Sequence, residues 1–194
     1  MINTKLLAEI CEIPGVPGHE QKVRERVIKE VKNLVDEIKI DNMGNVVAIK
    51  KGKEDKRVMI AAHMDEIGFI VTHIDDNGFV YFHTLGGFDP KTLTAQRVII
   101  HGKKDVIGVM GGKPIHLMSP ADRKKVPTIK DYFIDTGRTK KDLDKMISVG
   151  DTITRERQLI EMGDCLNCKS LDNRVSVFIL IEMLKEITKQ PPYD

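Results

Sequence analysis

The sequence has no surplus of charge of one sign. Its 31 Lys and Arg stand against 29 Asp and Glu, spread along the chain, for a net +2. That excludes a nucleic-acid footprint, which needs a concentrated basic face. The densest basic run, Asp122-Arg123-Lys124-Lys125, stands between Pro120 and Pro127 and reads as a solvated loop. Long apolar runs are also missing. None reaches the roughly 18 residues of a membrane span, so no membrane partner is expected. Lys5, Glu9 and Glu12 interrupt the opening MINTKLLAEICEIPG, which reads as an amphipathic helix and not as a signal peptide. Cysteine is scarce, at three residues, and without an export signal the expected location is a reducing cytoplasm. Cys165 and Cys168 form one C-x-x-C, but a structural zinc site needs two more ligands at similar spacing, and Cys11 is the only other thiol. A redox pair is the second reading. Two thiols in a strand-to-helix connection is the simplest.

What is present divides into two textures. Leu6, Leu7, Ile10 and Cys11 recur at helical spacing before IPGVPG breaks the pattern. The spacing predicts a second helix over about residues 19–33, with Val23, Val27, Val31 and Leu34 on one face. VDEIKID and NVVAIKKG flank Asn42-Met43-Gly44 as a hairpin. RVMIAAHMD reads as a continuous apolar strand, the kind buried on both faces of a helix-covered sheet. Beyond it come IGFIVTHI and FVYFHTL around an Asn-Gly turn, then AQRVIIHG, DVIGVMGG and DYFIDTG, and one short helix near residues 139–147. LDNRVSVFILIEMLKEITK returns to helical spacing, with Val177, Leu180, Ile181, Leu184 and Ile187 on one face. The expected organisation is an α/β domain of residues 1–67 and 164–194, interrupted by a β-rich insert over 68–163.

The chemistry concentrates in AAHMDEIGF, where an apolar run ends in His63, Asp65 and Glu66. Positions i and i+2 of a strand share a face, so His63 and Asp65 leave its end together while Glu66 points the other way. A neutral imidazole is a good transition-metal ligand, and a carboxylate on its other ring N–H fixes the tautomer and raises its basicity. Taken alone, the motif is equally a strand surfacing into a polar turn. Asp172, just before the last helix, is a metal-bridging candidate or a plain N-cap. Arg174 reads as a surface or interdomain charge.

In order along the chain stand IPGVPGHEQKVRERV, DNMGNVVA, AAHMDEIGFIV, LGG, HGKKDVIGVMG, GKPIHL, YFIDTG, VGDTIT and SLDNRV. Together they resemble the M42 family of metallo-aminopeptidases. These are tetrahedral, self-compartmentalising peptidases that include glutamyl aminopeptidases, and some relatives carry an endoglucanase label. The resemblance implies a zinc-peptidase-like three-layer α/β domain, incomplete here, interrupted by a barrel-like dimerisation insert. It implies that His63 binds one metal, that Asp172 bridges two, and that Asp65 orients His63 in the catalytic site. A cis peptide is implied between Asp172 and Asn173. Two divalent ions, zinc or cobalt, are the implied cofactors, short peptides the substrate, and a homo-oligomer built from dimers the assembly.

The resemblance also implies a general-base glutamate, a neighbouring glutamate ligand, a further acidic ligand and a late histidine ligand, all beyond the final helix. Glu12, Glu20, Glu66 and Glu182 stand in no matching context. The 194 residues by themselves are therefore expected to be inactive. Three functions compete. The first is aminopeptidase action through a two-metal activated water. The second is a non-catalytic assembly module. The third is an endoglucanase, for which no facing carboxylate pair is evident.

Overall fold

The computed structural model describes residues 2–187 and 191–193. The chain forms two compact units, one comprising residues up to Glu66 together with those from Gln158, the other Ile67–Arg157. The second unit thus ends before the expected residue 163. Residues 158–163 belong with the first unit because β9 (Ile160–Met162) pairs with β10 (Cys165–Asn167) and the Leu159 N–H donates to Glu12 at 2.9 Å.

In the first unit, α1 (Thr4–Glu12) starts where the Asn3 side chain accepts the Leu6 N–H, satisfying one of the free donors of a helix start. Its apolar face of Leu6, Leu7, Ile10 and Cys11 is buried. That face packs in one cluster with Val177, Phe178 and Ile181 of α4 (Leu171–Glu186) and with Val31 of α2 (Gln21–Val31). The expected hairpin forms from β1 (Glu37–Ile40) and β2 (Val46–Ile49), antiparallel, with Asp41 accepting the Met43 and Asn45 N–H groups in its turn. RVMIAAHMD does not form the expected buried strand. Residues 57–65 carry no strand, and Val58, Met59 and Ile60 are 60%, 90% and 54% exposed. A strand exists only where ladder partners satisfy its backbone, and the described residues supply none to this segment.

The second unit is a closed antiparallel barrel in the order β3-β4-β7-β6-β5-β8. Its strands are β3 (Gly68–Ile74), β4 (Val80–Leu85), β5 (Arg97–His101), β6 (Asp105–Gly112), β7 (Tyr132–Asp135) and β8 (Thr152–Arg155). Closure leaves no free edge. Alternation is clean along β6, where Val106 and Met110 enter the core while Ile107 and Val109 stay exposed. The expected helix over 139–147 is one turn, α3 (Lys140–Leu143), capped by Thr139, although Leu143 and Ile147 are both buried.

The Asn77-Gly78 turn is demanding. Gly78 has φ +89°, and a Cβ there would stand 2.2 Å from the Arg138 carbonyl oxygen. Gly78→Ala is expected to destabilise the barrel by about 2 kcal/mol or more, through backbone strain and that clash, read from urea unfolding. Among the described residues, no helix is long and apolar enough to cross a membrane.

Candidate metal centre

His63 and Asp65 lie outside any strand, between the apolar run and β3, and their side chains meet: His63 Nδ1 is 2.7 Å from Asp65 Oδ1. The other ring nitrogen faces α4, with Nε2 3.2 Å from Asp172 Oδ1. The three expected site residues therefore converge, across 109 residues of sequence between His63 and Asp172. Asp172 comes from an irregular helix start. Ser170 has φ +64°, Asp172 and Asn173 have non-helical dihedrals, and the Asp172–Asn173 peptide is cis. Among the described residues the Asp172 carboxylate, 96% exposed, accepts no N–H of α4 as a cap would and faces His63 instead.

This geometry poses a protonation problem. Both His63 nitrogens face carboxylate oxygens, and a neutral imidazole has one N–H to donate. With that proton directed at Asp65, the Nε2 lone pair faces Asp172 Oδ1, an arrangement that a metal ion bound between them would satisfy. An imidazole nitrogen with a carboxylate oxygen suits zinc or cobalt, and Asp65 occupies the place of the carboxylate that orients a metal-bound histidine. The donor types fit. Their number is small: among the described residues no group of three or more His, Cys, Asp or Glu is arranged to hold a metal.

The family model of the M42 glutamyl aminopeptidases matches residues 44–193, a stretch that contains all three of these residues. The chain belongs to the M42 family. Known members give the same answer. A protein of Acetivibrio thermocellus is 38% identical over 185 residues, covering 95% of this chain and 54% of its own. The aminopeptidase APDkam598 of the archaeon Desulfurococcus kamchatkensis superposes with a TM-score of 0.89 at 35% identity, over 96% of this chain and 52% of its own. The TET1 peptidase of Pyrococcus horikoshii, described as assembling into a tetrahedron or a large octahedral shell, superposes at 0.83 with 32% identity, over 95% and 56%. The M42 chain thus spans about half the length of the relatives it matches.

Beneath the exposed residues the M42 chain carries a buried ionic cluster that sequence reasoning missed. Glu66, Lys169 and Arg174 are 4%, 6% and 0% exposed. Lys169 Nζ donates to Glu66 Oε1 at 2.6 Å, and the Ser170 hydroxyl donates to Oε2 at 2.8 Å. Arg174 is not the surface charge expected. Its guanidinium donates to the carbonyls of Met64, Ile10, Cys11, Ile13 and Gly15, which include carbonyls at the C-terminal end of α1. Burial pulls Lys169 and Arg174 below their ordinary pKa values, and the Glu66 charge opposes that pull in both. A signal existed for Arg174, since it precedes Val177 and Phe178 by three and four residues and so shares the buried face of α4. Lys169 had none, because a lysine before a helix is ordinarily solvated.

The C-x-x-C residues separate. Cys165 is exposed, whereas Cys168 turns inward and interacts with Cys11, whose thiol burial pushes up to about 12. Since the thiolate is the nucleophile, iodoacetamide at neutral pH should label Cys165 readily and leave Cys11 unmodified until the protein unfolds, as read by peptide mass spectrometry.

Proposed function

We propose that the chain contributes to the site of a metal-dependent aminopeptidase that removes N-terminal residues from short peptides. The single observation behind this reading is that His63 Nε2 and Asp172 Oδ1 stand 3.2 Å apart while Asp65 holds the other ring nitrogen. His63 and Asp172 would be the ligands, with Asp172 the bridge between two zinc or cobalt ions, and other groups would complete the coordination. Bound cations of this kind acidify a water and polarise a peptide carbonyl. The chain's own residues do the positioning. Asp65 accepts the His63 Nδ1–H, which keeps the Nε2 lone pair aimed at the site. Asp172 keeps its carboxylate clear of the packed core, open to ligands and substrate.

The barrel is the proposed dimerisation insert of the three-layer α/β domain, a reading supported by the assembly described for the TET1 relative and by exposed Ile107 and Val109 on the outside of β6. That no group of three or more metal-binding side chains gathers among the described residues favours a second reading, in which these residues serve assembly without catalysis. Metal content separates the two. Zinc or cobalt bound to the purified chain and lost in His63→Ala and Asp172→Ala supports the peptidase reading. Equal binding in all three removes His63 and Asp172 from the site, and no binding in any leaves assembly.

A further inference from the structure

We infer that the buried Glu66–Lys169–Arg174 cluster positions the candidate metal ligands, setting where His63 stands relative to Asp172 through the residues beside each. The inference rests on the proposed site and adds the device that builds it. The segment carrying His63 makes no strand ladder among the described residues, and His63 and Asp172 are 54% and 96% exposed. Ala62 and Met64 beside His63, and Leu171 beside Asp172, pack against the apolar core of the unit, but that packing does not join the two segments through polar groups.

Hydrogen bonds from the cluster do. Arg174 Nε donates to the Met64 carbonyl at 2.8 Å, the backbone link between His63 and Asp65. The Glu66 N–H donates to the Gly15 carbonyl at 2.8 Å, and the Gly15 N–H returns to Glu66 Oε1 at 3.3 Å. On the other side, Glu66 accepts the Ser170 hydroxyl, and the Arg174 N–H donates to the Ser170 carbonyl at 3.1 Å. Met64 and Glu66 bracket Asp65, Ser170 and Arg174 bracket Asp172, and Glu66 and Arg174 reach across to join the two brackets.

Burying three charges incurs desolvation that well-packed apolar residues avoid, and two cations against one carboxylate leave a surplus positive charge. Arg174 is attracted by Asp65 as well as by Glu66.

The test is the ring-nitrogen NMR signature of His63 in the metal-free chain, at a fixed pH where the wild-type ring carries one proton. Glu66→Gln and Ser170→Ala are compared with wild type, with folding checked by thermal unfolding. Wild type should carry its proton on Nδ1. Both variants should show tautomers averaged between the two nitrogens, and Zn2+ affinity about tenfold weaker, the usual loss for residues behind a metal ligand. A purely structural role would lower the melting temperature and leave the His63 signature intact. Wild-type His63 signals in a folded Glu66→Gln variant overturn the inference. Should that variant not fold, Ser170→Ala, which removes only a hydroxyl, decides in the same way. Wild type that binds no Zn2+, or His63→Ala that binds it equally well, sinks the metal reading, while the metal-free spectra still judge the cluster.

Discussion

Arg174→Met should unfold the unit built on α1, α2 and α4 and leave the barrel folded. The guanidinium reaches carbonyls of Met64, Ile10, Cys11, Ile13 and Gly15, and a thioether replaces none of those bonds. A buried polar group left without a partner costs about 1–3 kcal/mol, so three such carbonyls cost about 3–9 kcal/mol, comparable with the lower part of the roughly 5–15 kcal/mol typical of a domain. The loss extends to Glu66, which would keep Lys169 but lose the second cation 3.6 Å away. Hydrogen exchange should show full protection lost in α1 and α4 and retained in β3 to β8. Wild-type protection throughout would show that water or a rearranged cap can replace the guanidinium.

The second large effect belongs to the barrel. Phe69→Ala should cost about 3–5 kcal/mol, the range for deleting a buried aromatic ring. Phe69 is fully buried, edge-on to Phe82 at 5.0 Å and stacked on Phe88 at 4.3 Å. It also sits where the barrel closes, opposite Ile153 on β8, and the β3–β8 seam has just one further paired position, Ile70 with Thr152. The deletion removes core volume and weakens the shortest of the seams on β3. Chemical denaturation should show the barrel transition moving to lower denaturant with a broad onset. A shift below about 1 kcal/mol would mean that Phe82 and Phe88 collapse into the space.

The ligand types, too, reach beyond any single motif. His63 and Asp65 were legible in the sequence as an H-x-D at the end of an apolar run, and the structure brings them to 2.7 Å although the segment forms no strand. Asp172 was legible only through the resemblance, since Asp before a helix reads as a cap on local grounds. Asp172 and Asn173 have non-helical dihedrals at the start of α4, and the Asp172 carboxylate faces His63. RVMIAAHMD shows the opposite failure. Its composition is that of an interior strand, yet composition supplies no partner strand, and Met59 lies 90% exposed.

By itself the sequence determined the elements whose signals are local: the capped amphipathic α1, the two hairpins with their Asp and Asn-Gly turns, and the period-two strands of the barrel. These depend on side-chain periodicity and turn chemistry over a few residues, which any reader of the chain can count. Only the tertiary structure decided which charges were buried and what they faced. Glu66 and Lys169 look like ordinary surface residues along the chain, and Arg174 shows only that it shares a face with Val177 and Phe178. They became a cluster because segments separated by 103 and 159 residues met around one carboxylate and one carbonyl set. Whether a charge is stable away from water depends on partners distant in sequence, and no local pattern encodes them.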